Sequence, residues 1–144
     1  MTSQSQALPQ PPSLSFTKLV VNDIEAMGDF YCAAFDLHRG SRDAFEHSVE
    51  GEAIDELSLV TNPNEPYGNL TLLKFVNRPP TATGEVILGF TTSDLTSLLD
   101  QIERAGGSLV GRIKTMPTHG IRVAFVRDPE GHLSELVEMK TTGA

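Results

Sequence analysis

The sequence predicts an α+β fold made of two β-α-β-β-β modules, and three observations indicate it. An order of strand, helix and three strands occurs twice along the chain. Residues 16–24 and 87–95, each a strand running into a helix cap, align 71 positions apart. Residues 68–73 and 131–136, each a glycine turn running into a strand, align 63 positions apart. A repeated order of elements is typical of duplicated units that share a core.

The first module is predicted at residues 14–76 and begins with a strand and a helix. Residues 14–21 alternate in polarity and end in β-branched side chains, which is typical of a strand. Asn22-Asp23 offers an N-cap for a helix, which is predicted over residues 23–35. Apolar residues of this segment recur at helical spacing: Ile24, Met27, Phe30, Tyr31 and Ala34.

Three further strands complete the first module. They are predicted at residues 43–49, 52–60 and 69–76. Residues 62–68, with the sequence NPNEPYG, predict a turn between the last two strands. Residues 77–83, which include two adjacent prolines, predict the linker to the second module.

The second module is predicted at residues 84–139 and repeats the order of the first. Ser93-Asp94 can cap its helix, and Ala105-Gly106-Gly107 is suited to end it. The sequence DPEG at residues 128–131 predicts a turn before the final strand, with a structural role only. The strands are predicted at 85–92, 108–114, 121–127 and 132–139.

Composition excludes several classes of function. The chain of 144 residues has a net charge of −8 and no cluster of Lys and Arg, which disfavours nucleic-acid binding. No apolar run approaches the roughly 20 residues that a membrane span needs. A single cysteine, Cys32, excludes an intrachain disulfide and a cysteine-built zinc site. Residues 1–13 are predicted to form a disordered leader without a secretory signal, and residues 140–144 are predicted to form a tail. The protein is expected in the cytoplasm.

Three motifs carry a resemblance to a known family. They are residues 21–25 (VNDIE) running into Phe30-Tyr31, residues 92–95 (TSDL), and residues 120–136 (GIRVAFVRDPEGHLSEL). Over residues 14–139 the chain resembles the vicinal-oxygen-chelate superfamily of glyoxalase I, bleomycin-resistance proteins and extradiol dioxygenases. The resemblance implies two modules whose mixed sheets curl into a cup that holds a small molecule. It also implies a homodimer, since such sheets leave uncovered apolar edges and faces.

The resemblance places metal ligands on the first and last strand of each module. The matching positions here are Phe16, Leu72, Ile87 and Glu135. One carboxylate cannot hold a divalent cation that requires three or more protein ligands. We therefore expect no metal and no cofactor. The four histidines form no helical pair and are interpreted as surface or turn residues: His38, His47, His119 and His132.

Strand alternation extends the predicted cup beyond these four positions, because residues two apart share a face. The predicted ligand-binding residues are Phe16, Lys18, Leu72, Lys74, Ile87, Gly89 and Glu135. Three roles remain open for Glu135: a salt bridge to Lys18 or Lys74, an anchor for the ligand, or proton transfer. A carboxylate in a dry cup is disfavoured in its charged form, which suits a general acid or base.

Three functions are compatible with this site. The first is a metal-independent protein that binds a small hydrophobic or cationic ligand in an apolar cup. The second is a metal-free lyase or isomerase in which Glu135 acts as general acid or base. The third is an accessory module without small-molecule function. Tyr31 is interpreted as a packing residue, and Arg122 as a solvated arginine on the outside of a strand.

Overall fold

The computed structural model describes residues 15–80, 82–84, 86–116 and 121–139. The predicted leader, the tail, Glu85 and His119 lie outside these residues. The described elements, in chain order, are β1 (Thr17–Val20), α1 (Ile24–Phe35), β2 (His38–Phe45), a 3₁₀ turn (Val49–Gly51), β3 (Ile54–Val60), β4 (Leu70–Phe75), β5 (Ile87–Thr92), α2 (Leu95–Arg104), β6 (Ser108–Met116), β7 (Ile121–Arg127) and β8 (Leu133–Glu138).

The strands form two mixed sheets with the same topology. One sheet has the order β1-β4-β3-β2, and the other has the order β5-β8-β7-β6. In each sheet the first strand pairs in parallel with the last, and the remaining pairs are antiparallel. The α+β class with two β-α-β-β-β modules is therefore confirmed. We call the elements from β1 to β4 module 1 and those from β5 to β8 module 2.

The predicted position of the second strand is wrong. The sequence predicted residues 43–49, whereas β2 spans His38–Phe45. Helix α1 ends at Phe35, and Asp36 adopts a left-handed backbone conformation with φ of 55°, so the chain reverses at once into β2. The strand carries mostly polar side chains, and Arg39 and Arg42 form ion pairs with carboxylates of α1. Such an edge strand has no apolar alternation by which a sequence pattern could locate it.

The two helices pack against each other and give both modules one shared core. Asp23 caps α1 by accepting a hydrogen bond from the backbone N–H of Ala26 at 3.0 Å. Asp94 caps α2 in the same way, from the N–H of Ser97 at 3.0 Å. Core residues from both modules are buried together: Met27, Phe30, Tyr31, Leu72, Leu95, Ile102 and Leu136. Each sheet thus has one face packed against the helices, which we call its helix face.

The opposite face of each sheet, which we call its open face, carries no helix among the described residues. Along β8 the side chains alternate between the two faces. Leu136 is buried on the helix face, whereas Glu135 is only partly buried on the open face. The helices in the described part of the chain are too short or too polar to cross a membrane. The cytoplasmic location stays a prediction.

Candidate functional site: the open face of module 2

The predicted site residues of module 1 lie on two different faces. In the β1–β4 ladder Lys18 pairs with Thr71, and Leu19 pairs with Leu72. Leu72 is fully buried in the core that α1 covers, so it lies on the helix face. Lys74, two residues further along β4, shares that face. The prediction that Leu72 and Lys74 face the same cup as Lys18 is therefore wrong.

The error is a shift of one residue between the two modules. The sequence alignment placed Leu72 opposite Glu135, 63 positions apart. In the structure the pair Leu19–Leu72 corresponds to the pair Phe90–Leu136, so the counterpart of Glu135 in module 1 is Thr71. A shift of one residue moves a side chain to the opposite face of a strand. The segment 70–73 (LTLL) is apolar on both faces, so alternation could not fix its register.

The lysine expected to neutralise Glu135 has another partner. The ammonium nitrogen of Lys18 lies 2.5 Å from Glu56 Oε1, on the open face of module 1. Glu135 forms no ion pair with any residue in the described ranges. The predicted salt bridge to Lys18 or Lys74 is therefore not found.

In module 2 the predicted residues do share one face. Gly89 pairs with Glu135 across β5 and β8, and Glu135 pairs with Phe125 across β8 and β7. Ile87, two residues before Gly89, lies on the same face and is 55% exposed. A Cβ atom built on Gly89 would meet no atom within 4 Å. Glu135 therefore stands beside a depression that the missing side chain of Gly89 leaves open.

The apolar surroundings of Glu135 make this surface suited to a small molecule. Leu133 and Val137 flank it along β8, and Phe125 flanks it on β7. All three side chains are partly exposed. Such a surface can hold an apolar body, and one carboxylate can orient a cationic or hydrogen-bonding group. Because Gly89 has no side chain, a ligand can approach the backbone of β5 closely at that point.

The described residues do not fit the metal centre that the resemblance implies. With the register corrected, the four positions are Phe16, Thr71, Ile87 and Glu135, of which only one is a carboxylate. No group of three His, Cys, Asp or Glu side chains in the described residues could hold a metal ion. Divalent cations in such sites require several nitrogen or oxygen ligands.

A cavity of about 520 Å³ lies between the two modules. We call it the inter-module cavity. The rings of Phe35 and Phe90 line it and stack at 3.8 Å between centroids. Ile87 and Gly89 also line it, so β5 separates this cavity from Glu135 on β8. Of the seven predicted site residues, these two are the ones that reach it.

Sequence reasoning missed a buried polar cluster that joins the modules. Asp128 Oδ2 accepts hydrogen bonds from Tyr31 Oη at 2.8 Å and from His132 Nδ1 at 2.7 Å. His132 Nε2 lies 3.0 Å from the backbone oxygen of Val20. His132 is 6% exposed, so its interpretation as a surface or turn residue is wrong. The sequence pattern could not indicate this burial, because Ser134 and Glu138 on the same face of β8 are also polar.

The geometry defines the charge of this cluster. The backbone oxygen of Val20 can only accept, so Nε2 of His132 carries a proton, and an ionised Asp128 carboxylate can accept a second hydrogen bond from Nδ1 of a protonated ring. Burial lowers the pKa of His132, but the hydrogen bond and charge of Asp128 outweigh it and hold that pKa above its ordinary value. Burial raises the pKa of Asp128, but hydrogen bonds from His132 and Tyr31 outweigh it and hold that pKa below its ordinary value. Both pKa shifts favour an imidazolium beside a carboxylate.

The turn that contains this pair also holds the start of α1. The carboxylate of Glu130 accepts hydrogen bonds from the backbone N–H groups of Asn22 at 2.9 Å and Asp23 at 2.8 Å. A negative charge is favourable at a helix N-terminus. The turn that the sequence assigned a purely local role thus bridges the modules. We call Tyr31, Asp128, Glu130 and His132 the inter-module clamp.

Arg122 is also more than a solvated arginine. Its Nε lies 2.9 Å from Glu138 Oε1, and its Nη2 lies 2.9 Å from Glu138 Oε2. Glu138 is buried and also accepts a hydrogen bond from the backbone N–H of Leu95 at 2.8 Å. Glu138 therefore holds the start of α2 as Glu130 holds the start of α1.

The sequence of both modules matches the model of one known superfamily. Residues 13–136 match the family model of the glyoxalase/bleomycin resistance protein/dioxygenase superfamily. The chain belongs to this superfamily. The match spans both modules and includes the inter-module clamp.

Solved structures of the superfamily share the fold at low sequence identity. A glyoxalase family protein from Bacillus cereus aligns over 98% of this chain and all of its own, with a TM-score of 0.70 and 20% identity. Glyoxalase I from Zea mays aligns over 92% of this chain and 48% of its own, with a TM-score of 0.68 and 19% identity. At such identities the likeness concerns the fold alone.

One curated relative is more similar in sequence over a shorter stretch. A probable lactoylglutathione lyase from Vibrio parahaemolyticus is 36% identical over 67 residues. The alignment spans 44% of this chain and 45% of that protein, less than half the length of each.

Proposed function

We propose that this superfamily member binds a small hydrophobic or cationic molecule on the open face of module 2, and that it does so without a metal ion. The observation that carries the proposal is the placement of Glu135 beside the depression at Gly89, among partly exposed apolar side chains. Apolar contacts supply binding energy in proportion to the area removed from water. The carboxylate supplies orientation and favours a cation.

Metal independence rests on the side chains at the family positions. Glu135 alone offers a charged oxygen there, and Phe16 and Ile87 offer none. A divalent ion bound by one carboxylate keeps most of its water and has low affinity. We infer that the free carboxylate meets the ligand directly.

A second copy of the chain completes the cup in this proposal. The open face of module 2 leaves apolar side chains exposed, among them Ile87 at 55%. Soluble proteins cover contiguous apolar surfaces of this kind with a ligand or with another subunit. A homodimer would cover the open face of module 2 in each copy. Mass measurement at micromolar concentration tests the dimer, and a monomeric mass would contradict it.

A metal-free lyase or isomerase is the second candidate. The name of the Vibrio parahaemolyticus relative favours it, since that protein is a probable lactoylglutathione lyase. Glu135 could take a proton from a carbon next to a carbonyl group and return it to a neighbouring atom, so that no other reactant is consumed. In this case Glu135→Gln would abolish turnover but preserve binding.

Metal analysis followed by thermal-shift screening separates these functions. We expect purified protein to hold no stoichiometric metal and to be stabilised by hydrophobic amines or carbonyl compounds after treatment with EDTA. Gly89→Val should remove that stabilisation because its side chain fills the depression. Thr91→Val, on the same face of β5, is the matched control and should respond as the native protein. No stabilising compound would favour an accessory module, and metal-dependent stabilisation would contradict the proposal.

A further inference from the structure

We propose that the inter-module cavity is a second binding site and that it takes a flat aromatic amine. The site is separate from Glu135, which does not line this cavity. The carboxylate in its lining is that of Glu65, in the loop of residues 61–69. Its volume of about 520 Å³ falls within the range of small-molecule sites. The proposal does not depend on ligand binding at the open face.

The 61–69 loop is fixed against module 1 by close backbone contacts. The N–H of Ser41 donates to the carbonyl oxygen of Pro66 at 2.7 Å, and the N–H of Gly68 donates to Ser58 Oγ at 3.0 Å. A Cβ atom on Gly40 would lie 2.4 Å from that same carbonyl oxygen. A Cβ atom on Gly68 would lie 2.2 Å from the backbone oxygen of Leu59. The backbone of the loop is therefore fixed against module 1, and Glu65 and Tyr67 project from a defined position.

Aromatic side chains give the cavity a preference for flat ligands. Phe35 and Phe90, one from each module, form a stacked pair with an interplanar angle of 7°. Tyr67 lines the cavity from the fixed loop and is 64% exposed, although its ring is large and mostly apolar. Aromatic rings pair favourably in offset or edge-to-face arrangements. A flat aromatic ligand can contact both the Phe35–Phe90 pair and the ring of Tyr67.

The polar groups of the cavity favour a cation that donates hydrogen bonds. Glu65 provides a carboxylate in the lining, and the whole chain carries a net charge of −8. The backbone oxygen of Thr92 accepts from Met139, so alternate residues of β5 direct their backbone groups towards β8. Those of Ile87 and Gly89 consequently point to the outer edge of β5, which no strand among the described residues covers. Their carbonyl oxygens can accept from an ammonium group.

Three naphthalene derivatives test the site by the effect of charge alone. The probes are 2-(1-naphthyl)ethylammonium, the neutral 2-(1-naphthyl)ethanol and the anionic 1-naphthylacetate. Each is titrated into full-length isotope-labelled protein, and amide shifts give both affinity and position. We expect the amine to bind about threefold more tightly than the alcohol, as for an exposed ion pair. The anion should bind most weakly, and shifted amides should include Leu37, Asn69 and Leu70.

Variants at the two exposed loop residues assign the binding. Glu65→Gln should equalise the affinities of the amine and the alcohol. Glu103→Gln, an exposed glutamate on α2, is the matched control and should preserve their difference. Tyr67→Ala should weaken all three probes by about fivefold through the lost ring contact.

Two results would overturn the site. One is the absence of saturable binding at millimolar amine. The other is an amine whose shifted amides surround Glu135 and whose affinity falls in Glu135→Gln but not in Glu65→Gln. That second result would support the proposed function while placing the amine on the open face of module 2.

Discussion

The two modules have one topology but differ on their open faces. In module 1 Leu73 is 2% exposed, and the carboxylate of Glu56 is paired with Lys18. In module 2 the counterpart of Leu73 is Val137, which is partly exposed. The carboxylate there, Glu135, has no ion pair within the described residues.

The same topology therefore presents different open-face surfaces in the two modules. The same ladder of strands positions Thr71 in module 1 and Glu135 in module 2. Glu135 in place of Thr71 and Gly89 in place of Lys18 leave module 2 with a carboxylate beside open space, where module 1 has an ion pair. Function on this fold therefore depends on particular side chains.

The largest expected effect concerns the clamp that joins the modules. Asp128→Ala leaves the protonated ring of His132 buried without its counter-charge, so we expect a loss of about 3–5 kcal/mol in the free energy of unfolding. Urea denaturation measures it. Asp100→Ala, at an exposed ion pair with Arg104, is the control and should change little. A loss below about 1 kcal/mol on Asp128→Ala would show that the modules do not depend on the clamp.

The register correction predicts equal roles for a pair of leucines. Leu72 and Leu136 are both fully buried at equivalent positions, so each change to alanine should cost about 2–5 kcal/mol in unfolding free energy. Denaturant titrations of the two variants test this. A small cost at Leu72, coupled to altered ligand binding, would instead place that side chain in the cup.

The pH dependence of stability follows from the clamp. The folded pKa of His132 is raised, so its contribution is complete below the unfolded value near 6.5 and is lost as pH rises through the folded pKa. The folded pKa of Asp128 is lowered, so its contribution is present above the unfolded value near 3.8 and is lost as pH falls through the folded pKa. Stability from this pair is therefore greatest between those values.

Unfolding free energies of the native protein and His132→Gln, compared from pH 5 to pH 9, test this dependence. We expect the native protein to lose its advantage over the variant as pH rises above neutrality. An NMR titration of the His132 ring should give a pKa above about 6.5. Parallel pH profiles for the two proteins would contradict the assignment of an imidazolium.

The smallest effects distinguish the two open-face carboxylates. Lys18→Met breaks a partly exposed ion pair with Glu56, and we expect a cost of about 0–1 kcal/mol. Glu135→Gln breaks no ion pair among the described residues, and we expect a change within about 0.5 kcal/mol. Denaturant titration measures both. A large loss on Glu135→Gln would reveal a structural role and weaken the proposed binding site.

Local signals predicted most of the fold. The cap pairs Asn22-Asp23 and Ser93-Asp94, with the apolar spacing that follows them, predicted the two helices, and the repeated order of elements predicted the modules. Ile87 and Glu135 were placed in the cup by the family resemblance, and Gly89 was added because residues two apart on a strand share a face. Strand β2 was misplaced because its polar side chains follow no period.

Long-range contacts could not be predicted from the sequence. Tyr31 and Asp128 are separated by 97 positions, and Val20 and His132 by 112, so no local pattern links them. The face of Leu72 was missed for a different reason, since a strand that is apolar on both sides gives no register. The pairing of Phe35 with Phe90 likewise depends on how the modules pack.

The central claim is that a small molecule binds beside Glu135 without a metal ion. The most direct test is a thermal-shift panel of hydrophobic amines and carbonyl compounds on EDTA-treated native protein and Gly89→Val. A compound at about 100 times its dissociation constant should add about 2.7 kcal/mol, which raises the melting temperature of the native protein by several degrees. We predict that Gly89→Val loses this increase. An equal increase in Gly89→Val, or one that requires added divalent metal, would contradict the claim.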